Sequence, residues 1–109
     1  MPEFDLIRRL QQRIAVPLSR LGSGCMVGIG DDGAVLTPTP GKQQVIVIDT
    51  LVEGVHFPKD LGPADIGYRV VAVNLSDIAA MGAIPHWMTL ALTLPESDER
   101  RVEAFASGL

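Results

Sequence analysis

The sequence predicts an α/β (α+β) domain in which a mixed sheet packs on helices. Three observations predict it: apolar residues recur at helical spacing near both ends and in the middle, short apolar runs flank a turn-rich stretch, and Trp87 to Leu94 alternates like a strand. At 109 residues with 47% hydrophobic side chains, the chain has one domain's length and enough apolar mass for a modest core.

The first element runs from Glu3 to about Ile14, with Phe4, Ile7, Leu10 and Ile14 on one stripe and Pro17 just beyond. Packing is the simplest use of such a stripe. The next stretch, LGSGCMVGIGDDGAVL, sets Gly22, Gly24, Gly28, Gly30 and Gly33 around two adjacent acids, Asp31 and Asp32. Glycines at this density suit a phosphate- or metal-binding loop, and equally a surface turn. The loop is not a Walker A sequence, and Gly28-Ile29-Gly30 lacks the rest of a dinucleotide fingerprint.

Ala34 to Thr37 and Gln44 to Ile48 read as the arms of a β-hairpin across Pro38-Thr39-Pro40-Gly41-Lys42. Antiparallel pairing about Pro40 and Gly41 would bring Asp32 and Asp49 to one end of the ladder. Glu53-Gly54 then reads as a turn that lets His56 and Phe57 approach whatever Asp49 binds.

The segment Ala64 to Ala83 reads as the central helix. Pro63 suits its first turn, Asp65 complements the dipole, Gly82 suits a left-handed cap, and Pro85 forbids continuation. Asn74, Ser76 and Asp77 interrupt its apolar run from Val70 to Met81, and Asn74 and Asp77 share a face. A partly buried Asp77 must be protonated, paired or metal-bound. The alternatives are an arginine partner or a solvated face. From Trp87 to Leu94 a half-buried strand is expected, with Met88, Leu90, Leu92 and Leu94 facing one way and Pro95 closing it. Ser97 then offers an N-cap to a helix that presents Val102, Phe105, Ala106 and Leu109 on one face. A periodic helix at the end of so few strands suggests part of something longer.

Charge and composition exclude several classes. The net charge of −4, with nine dispersed Lys and Arg, gives no basic patch to follow a phosphate backbone, so no nucleic-acid role is expected. Cys25 stands alone, which rules out an intrachain disulfide and a thiolate zinc site. No segment approaches the ~20 apolar residues of a membrane span and no signal-peptide core is present, so a cytoplasmic, membrane-free protein is expected.

Singly, Asp31 and Asp32 read as turn residues and Asp49 as a polar strand end. Taken with Asp77, they look like a platform for a hard divalent cation such as Mg²⁺, which prefers oxygen ligands and commonly presents substrate phosphates. His56, beside an aromatic, reads either as a hydrogen-bonded structural residue or as a ligand contact. His86 has less to recommend it.

GIGDDGAVL, VIDTLVEGVHFP and ADIGYRVVAVNLSDIAAMGAIPHWMTLALTLP together resemble the N-terminal part of the thiamine-monophosphate kinase family, over about Val27 to Pro95. SDIAAMGA is shared across the wider superfamily that includes aminoimidazole ribonucleotide synthetase. DTLVEGVHF narrows the resemblance to the thiamine enzymes. The resemblance implies direct transfer of the γ-phosphoryl group of ATP to thiamine monophosphate, with Mg²⁺ as cofactor and a homodimer formed through the N-terminal sheet. It also implies roles for particular residues. Asp32, Asp49 and Asp77 correspond to magnesium ligands, His56 to a substrate contact, and Asp31 to a supporting acid, with Asn74 beside Asp77. Val47-Ile48-Asp49 departs from the family, which often has a hydroxyl residue before the strand-end acid, so Ile48 could contribute only its backbone carbonyl. The family's Gly-Gly-Asp-Thr segment and C-terminal domain lie beyond Leu109. Residues 1–109 are therefore expected to be a partial ATP- and magnesium-binding and dimerisation domain, inactive in isolation. Another ATP-dependent member of the superfamily and a non-catalytic dimerisation module are the competing readings.

Overall fold

The structure, a computed structural model, describes residues 2–14, 24–94 and 98–109. Helix α1 (Glu3–Ile14) has Glu3 and Asp5 in its first turn and Arg13 in its last, a charge order that complements the helix dipole. Its boundaries match the sequence reading; its buried stripe is shifted. Leu6, Leu10 and Ile14, at i, i+4 and i+8, face the core, whereas Phe4 is 78% exposed. Pro17, Gly22, Pro95 and Ser97 lie outside the described residues.

Strands β1 (Cys25–Val27) and β2 (Val35–Leu36) pair antiparallel, with Cys25 opposite Leu36, Val27 opposite Val35 and an irregularity between them. The Thr37 N–H extends the pairing by donating to the Gly24 carbonyl at 2.7 Å. This corrects the expected hairpin. The turn at Thr39–Lys42 forms, with the Lys42 N–H donating to the Thr39 carbonyl at 3.3 Å, but no ladder grows from it and residues 44–48 join no described strand. Pro38 and Pro40 remove two backbone donors beside that turn. The shorter closure across residues 28–34 supplies β2 with a partner instead.

Helix α2 (Pro63–Ala80) begins where expected, with Gly62 as an extended N-cap, Pro63 at the first turn and Asp65 near the dipole's positive end. It ends in a Schellman motif. Gly82 takes φ +68, the Ala83 N–H donates to the Ile78 carbonyl at 3.0 Å, and the Gly82 N–H donates to the Ala79 carbonyl at 3.0 Å. Helix α3 (Glu99–Gly108) is capped by Asp98, whose carboxylate accepts from the Arg101 N–H at 2.8 Å.

The core forms where the three helices meet. Leu10 of α1 and Val102, Phe105 and Ala106 of α3 are buried together, with Ile66 and Val70 of α2 packed against them. Residues 87–94 join no described ladder, yet keep a strand's period: Leu90, Leu92 and Leu94 pack on the core while Ala91 and Thr93 are exposed. Met88 departs from that row at 54% exposed. On the flank of α1 and α3, Arg9 reaches Glu99 at 2.7 Å and Glu103 at 3.5 Å, and Arg13 reaches Glu103 at 3.5 Å. The fold class read from the sequence holds, with three helices and a small sheet, but among the described residues that sheet is two antiparallel strands rather than the mixed sheet expected. No helix among the described residues is long and apolar enough to cross a membrane.

Candidate functional site

The candidate acids lie on three separate supports. Asp31 and Asp32 sit in the loop between β1 and β2, where Ile29 and Asp31 form an isolated bridge. Gln11 of α1 anchors that loop by donating from Nε2 to the Ile29 carbonyl at 3.2 Å. The Asp32 N–H donates to Asp31 Oδ1 at 2.8 Å, so Asp31 braces the turn while the Asp32 carboxylate stays exposed. Asp49 lies in the extended segment after the turn and accepts the Thr50 N–H on Oδ1 at 2.9 Å, which leaves Oδ2 for a ligand. Ile48 beside it is 88% exposed.

Asp77 projects from the last turns of α2 and is exposed. This corrects the expectation of a partly buried acid. The run from Val70 to Met81 is itself only partly covered, with Leu75 at 45% and Met81 at 65% exposed, so no desolvation demands a partner for Asp77. Asn74 turns back on its own helix, Nδ2 donating to the Val70 carbonyl at 2.8 Å. Its amide oxygen remains available on the face it shares with Asp77.

His56 sits in the most constrained part of the site, a turn from Val52 to Phe57. The His56 N–H donates to the Val52 carbonyl at 2.9 Å, and the Val52 N–H donates back to His56 Nδ1 at 2.8 Å. Gly54, at φ +78, permits the reversal and donates its N–H to the Phe57 carbonyl at 2.7 Å. Because Nδ1 accepts a hydrogen bond, the neutral ring carries its proton on Nε2. The imidazole is thereby presented as an outward N–H donor. Arg69 of α2 reaches the same turn, its guanidinium donating to the His56 carbonyl at 3.0 Å. Arg69 also lines a shallow notch with Leu61, Asp65, Tyr68 and Ala72.

Exposed carboxylate oxygens have the donor chemistry of a magnesium site. Among the described residues, however, no group of three His, Cys, Asp or Glu side chains gathers closely enough to hold a metal by itself. Magnesium is usually held by one or two carboxylates plus substrate phosphates and water rather than by an all-protein cage. Asp32, Asp49 and Asp77 are each exposed and offer carboxylate oxygens singly rather than as a gathered set. Sequence reasoning did not single out Gln11 or Arg69. Arg69 stands four residues after Asp65, a spacing that suggests an ordinary helical ion pair and conceals its use on a loop carbonyl.

A small antiparallel sheet with three helices is the architecture of a known class. Residues 30–109 match the family described as AIR synthase related protein, N-terminal domain, and the chain belongs to that family. Within it, relatives of this chain include thiamine-monophosphate kinases. The enzyme of that name from Salmonella typhimurium is 52% identical over 107 residues, covering 98% of this chain and 32% of the relative. The Bacillus subtilis enzyme is 42% identical, covering 100% of this chain and 33% of the relative. The crystal structure of thiamine-monophosphate kinase from Stenotrophomonas maltophilia K279a superposes with a TM-score of 0.78 at 50% identity, over 99% of this chain and 33% of that one. The chain thus spans about a third of the length of the relatives it matches.

Proposed function

We propose that the chain is the ATP- and magnesium-binding, dimer-forming N-terminal part of an enzyme that phosphorylates thiamine monophosphate to thiamine diphosphate, with ADP as the other product. The observation that carries this reading is identity of about half the residues to thiamine-monophosphate kinases along nearly the whole chain. Asp32, Asp49 and Asp77 would hold Mg²⁺, with the Ile48 carbonyl as a further oxygen, while Asp31 braces the loop and Asn74 lies beside Asp77. Bound magnesium would neutralise phosphate charge during direct, in-line transfer. His56 would donate from Nε2 to an oxygen of thiamine monophosphate, orienting the acceptor. Phosphoryl transfer relies on positioning and electrostatics, so no side chain need serve as a nucleophile. A second copy of the chain is proposed to cover the open apolar segment around Ile46 and Ile48, which are 86% and 88% exposed.

The test is calorimetric titration with a non-hydrolysable ATP analogue, with and without Mg²⁺, on the chain and on its Asp77→Asn variant. Magnesium-dependent binding that the variant loses is the expected result. Binding retained by the variant removes Asp77 from the ligand set, and no binding by either protein leaves the chain as a dimerisation module. Acceptor identity is tested separately, by whether thiamine monophosphate stimulates ATP consumption. Stimulation by another acceptor alone would move the chain to a different ATP-dependent member of the superfamily.

A further inference from the structure

We infer that Arg69 is a positioning residue: it fixes the Val52–Phe57 turn to helix α2, and so sets where the outward N–H of His56 stands. This inference rests on the reading of His56 as a substrate contact.

The turn closes on itself. Its bonds run between Val52, Gly54, His56 and Phe57, with the Val55 N–H also donating to the Val52 carbonyl at 3.0 Å. Those bonds fix the ring's tautomer and its orientation within the turn, but none reaches another element. Among the described residues, the hydrogen bond that ties the turn to a helix is the one from Arg69 to the His56 carbonyl. The bond ends on the very residue whose side chain is to be placed. It starts from the helix that also carries Asn74 and Asp77, so one rigid element references both the histidine and the acid.

The chemistry of Arg69 supports this assignment. An arginine four residues after an aspartate on an exposed helix face would ordinarily pair with it. Among the described residues Arg69 forms no ion pair, and its guanidinium goes to the carbonyl instead. A charged donor strengthens that bond relative to a neutral one, and the planar fork holds its direction. The turn's apolar anchorage is partial, since Val52 is 46% and Val55 74% exposed while Phe57 is half-buried. Without Arg69 the turn would keep its internal shape and lose its hydrogen-bonded tie to α2.

The experiment compares the chain with its Arg69→Ala and Arg69→Lys variants by amide hydrogen exchange. In the same samples, affinity for thiamine monophosphate is read from the His56 ring resonances. In Arg69→Ala the amides of Gly54, Val55 and His56 are expected to exchange about three- to tenfold faster, the range for losing one hydrogen bond at an exposed site. The amides of Val70 and Phe105 should keep their rates, and thiamine monophosphate should bind at least about threefold more weakly. Arg69→Lys, which retains one charged donor, should recover most of both effects. Faster exchange spread evenly over α2 and α3 would reduce Arg69 to a general stabiliser and overturn the inference, as would unchanged exchange in the turn. If thiamine monophosphate leaves His56 unshifted in the unaltered chain, the substrate reading of His56 fails. The exchange comparison then decides Arg69 alone: local acceleration sustains its positioning role, and equal rates end it.

Discussion

Gly67 of α2 lies so close to the backbone of α3 that a methyl group there would overlap the carbonyl oxygen of Phe105 and stand 3.2 Å from its carbonyl carbon. The contact is reciprocated one turn along, where a methyl on Gly108 would overlap the Ala64 carbonyl. Both obstacles are backbone, which cannot swing aside as a side chain can. The depth at which α2 seats on α3, and with it the placement of Arg69, Asn74 and Asp77, depends on these hydrogen-only positions.

Gly67→Ala is therefore expected to destabilise the chain although alanine is the better helix former. Forcing a methyl into a packed contact costs about 1–3 kcal/mol, against a propensity gain of about 1 kcal/mol. Because the clash is with backbone, the upper part of the cost range applies. Denaturant unfolding should show a lower midpoint for Gly67→Ala and Gly108→Ala. Gly33 serves as the control, because a methyl there would meet nothing within 4 Å, and Gly33→Ala should leave the midpoint unchanged.

Asp98→Ala should cost about 1 kcal/mol, the usual loss for an N-cap whose carboxylate accepts a backbone N–H of the first turn. Asp98→Asn should recover most of it, because the amide oxygen can accept from the Arg101 N–H. Thermal unfolding of the two variants checks the order. Equal loss in both would assign the effect to the charge rather than to the cap.

Asp77→Asn should leave stability within about 0.5 kcal/mol, since the carboxylate is exposed and makes no ion pair among the described residues. Magnesium-dependent binding of an ATP analogue should disappear all the same. Chemical denaturation and calorimetry on one preparation separate the two effects. A large stability change with intact magnesium response would make Asp77 a structural acid.

The parts of this fold legible in the sequence are those fixed by neighbours along the chain. Pro63, Asp65 and Gly82 act within a turn of where they stand, and the start of α2 and its left-handed cap followed from them. Strand pairing depends on a choice between distant partners. The hairpin through Pro40 was the plausible choice, and the structure pairs β2 with Cys25–Val27, a segment hidden among glycines. Gly67 carried no local signal, because nothing nearby in sequence announces the backbone of Phe105. At the candidate site the residue types were legible and their surroundings were not. Asp77 was expected to be partly buried because its neighbours are apolar, but that run is itself only partly covered, with Leu75 and Met81 exposed on this chain.

The bond from the Val52 N–H to His56 Nδ1 makes a prediction that two substitutions can divide. Nitrogen NMR of the neutral ring should show Nδ1 as the unprotonated, pyridine-like nitrogen and Nε2 as the protonated one; the reverse pattern would break the proposed donor role. Asparagine places its side-chain oxygen about where Nδ1 stands, so His56→Asn should keep the Val52 bond and the slow exchange of the turn, but lose the outward donor. Glutamine places an amide N–H about where Nε2 stands, so His56→Gln should keep the donor while the Val52 amide loses its acceptor and exchanges faster. If His56 acts on thiamine monophosphate through Nε2, affinity should follow the donor and not the turn: His56→Gln should bind more tightly than His56→Asn. The opposite ranking would mean that the ring serves to shape the turn, and that the substrate contact lies elsewhere.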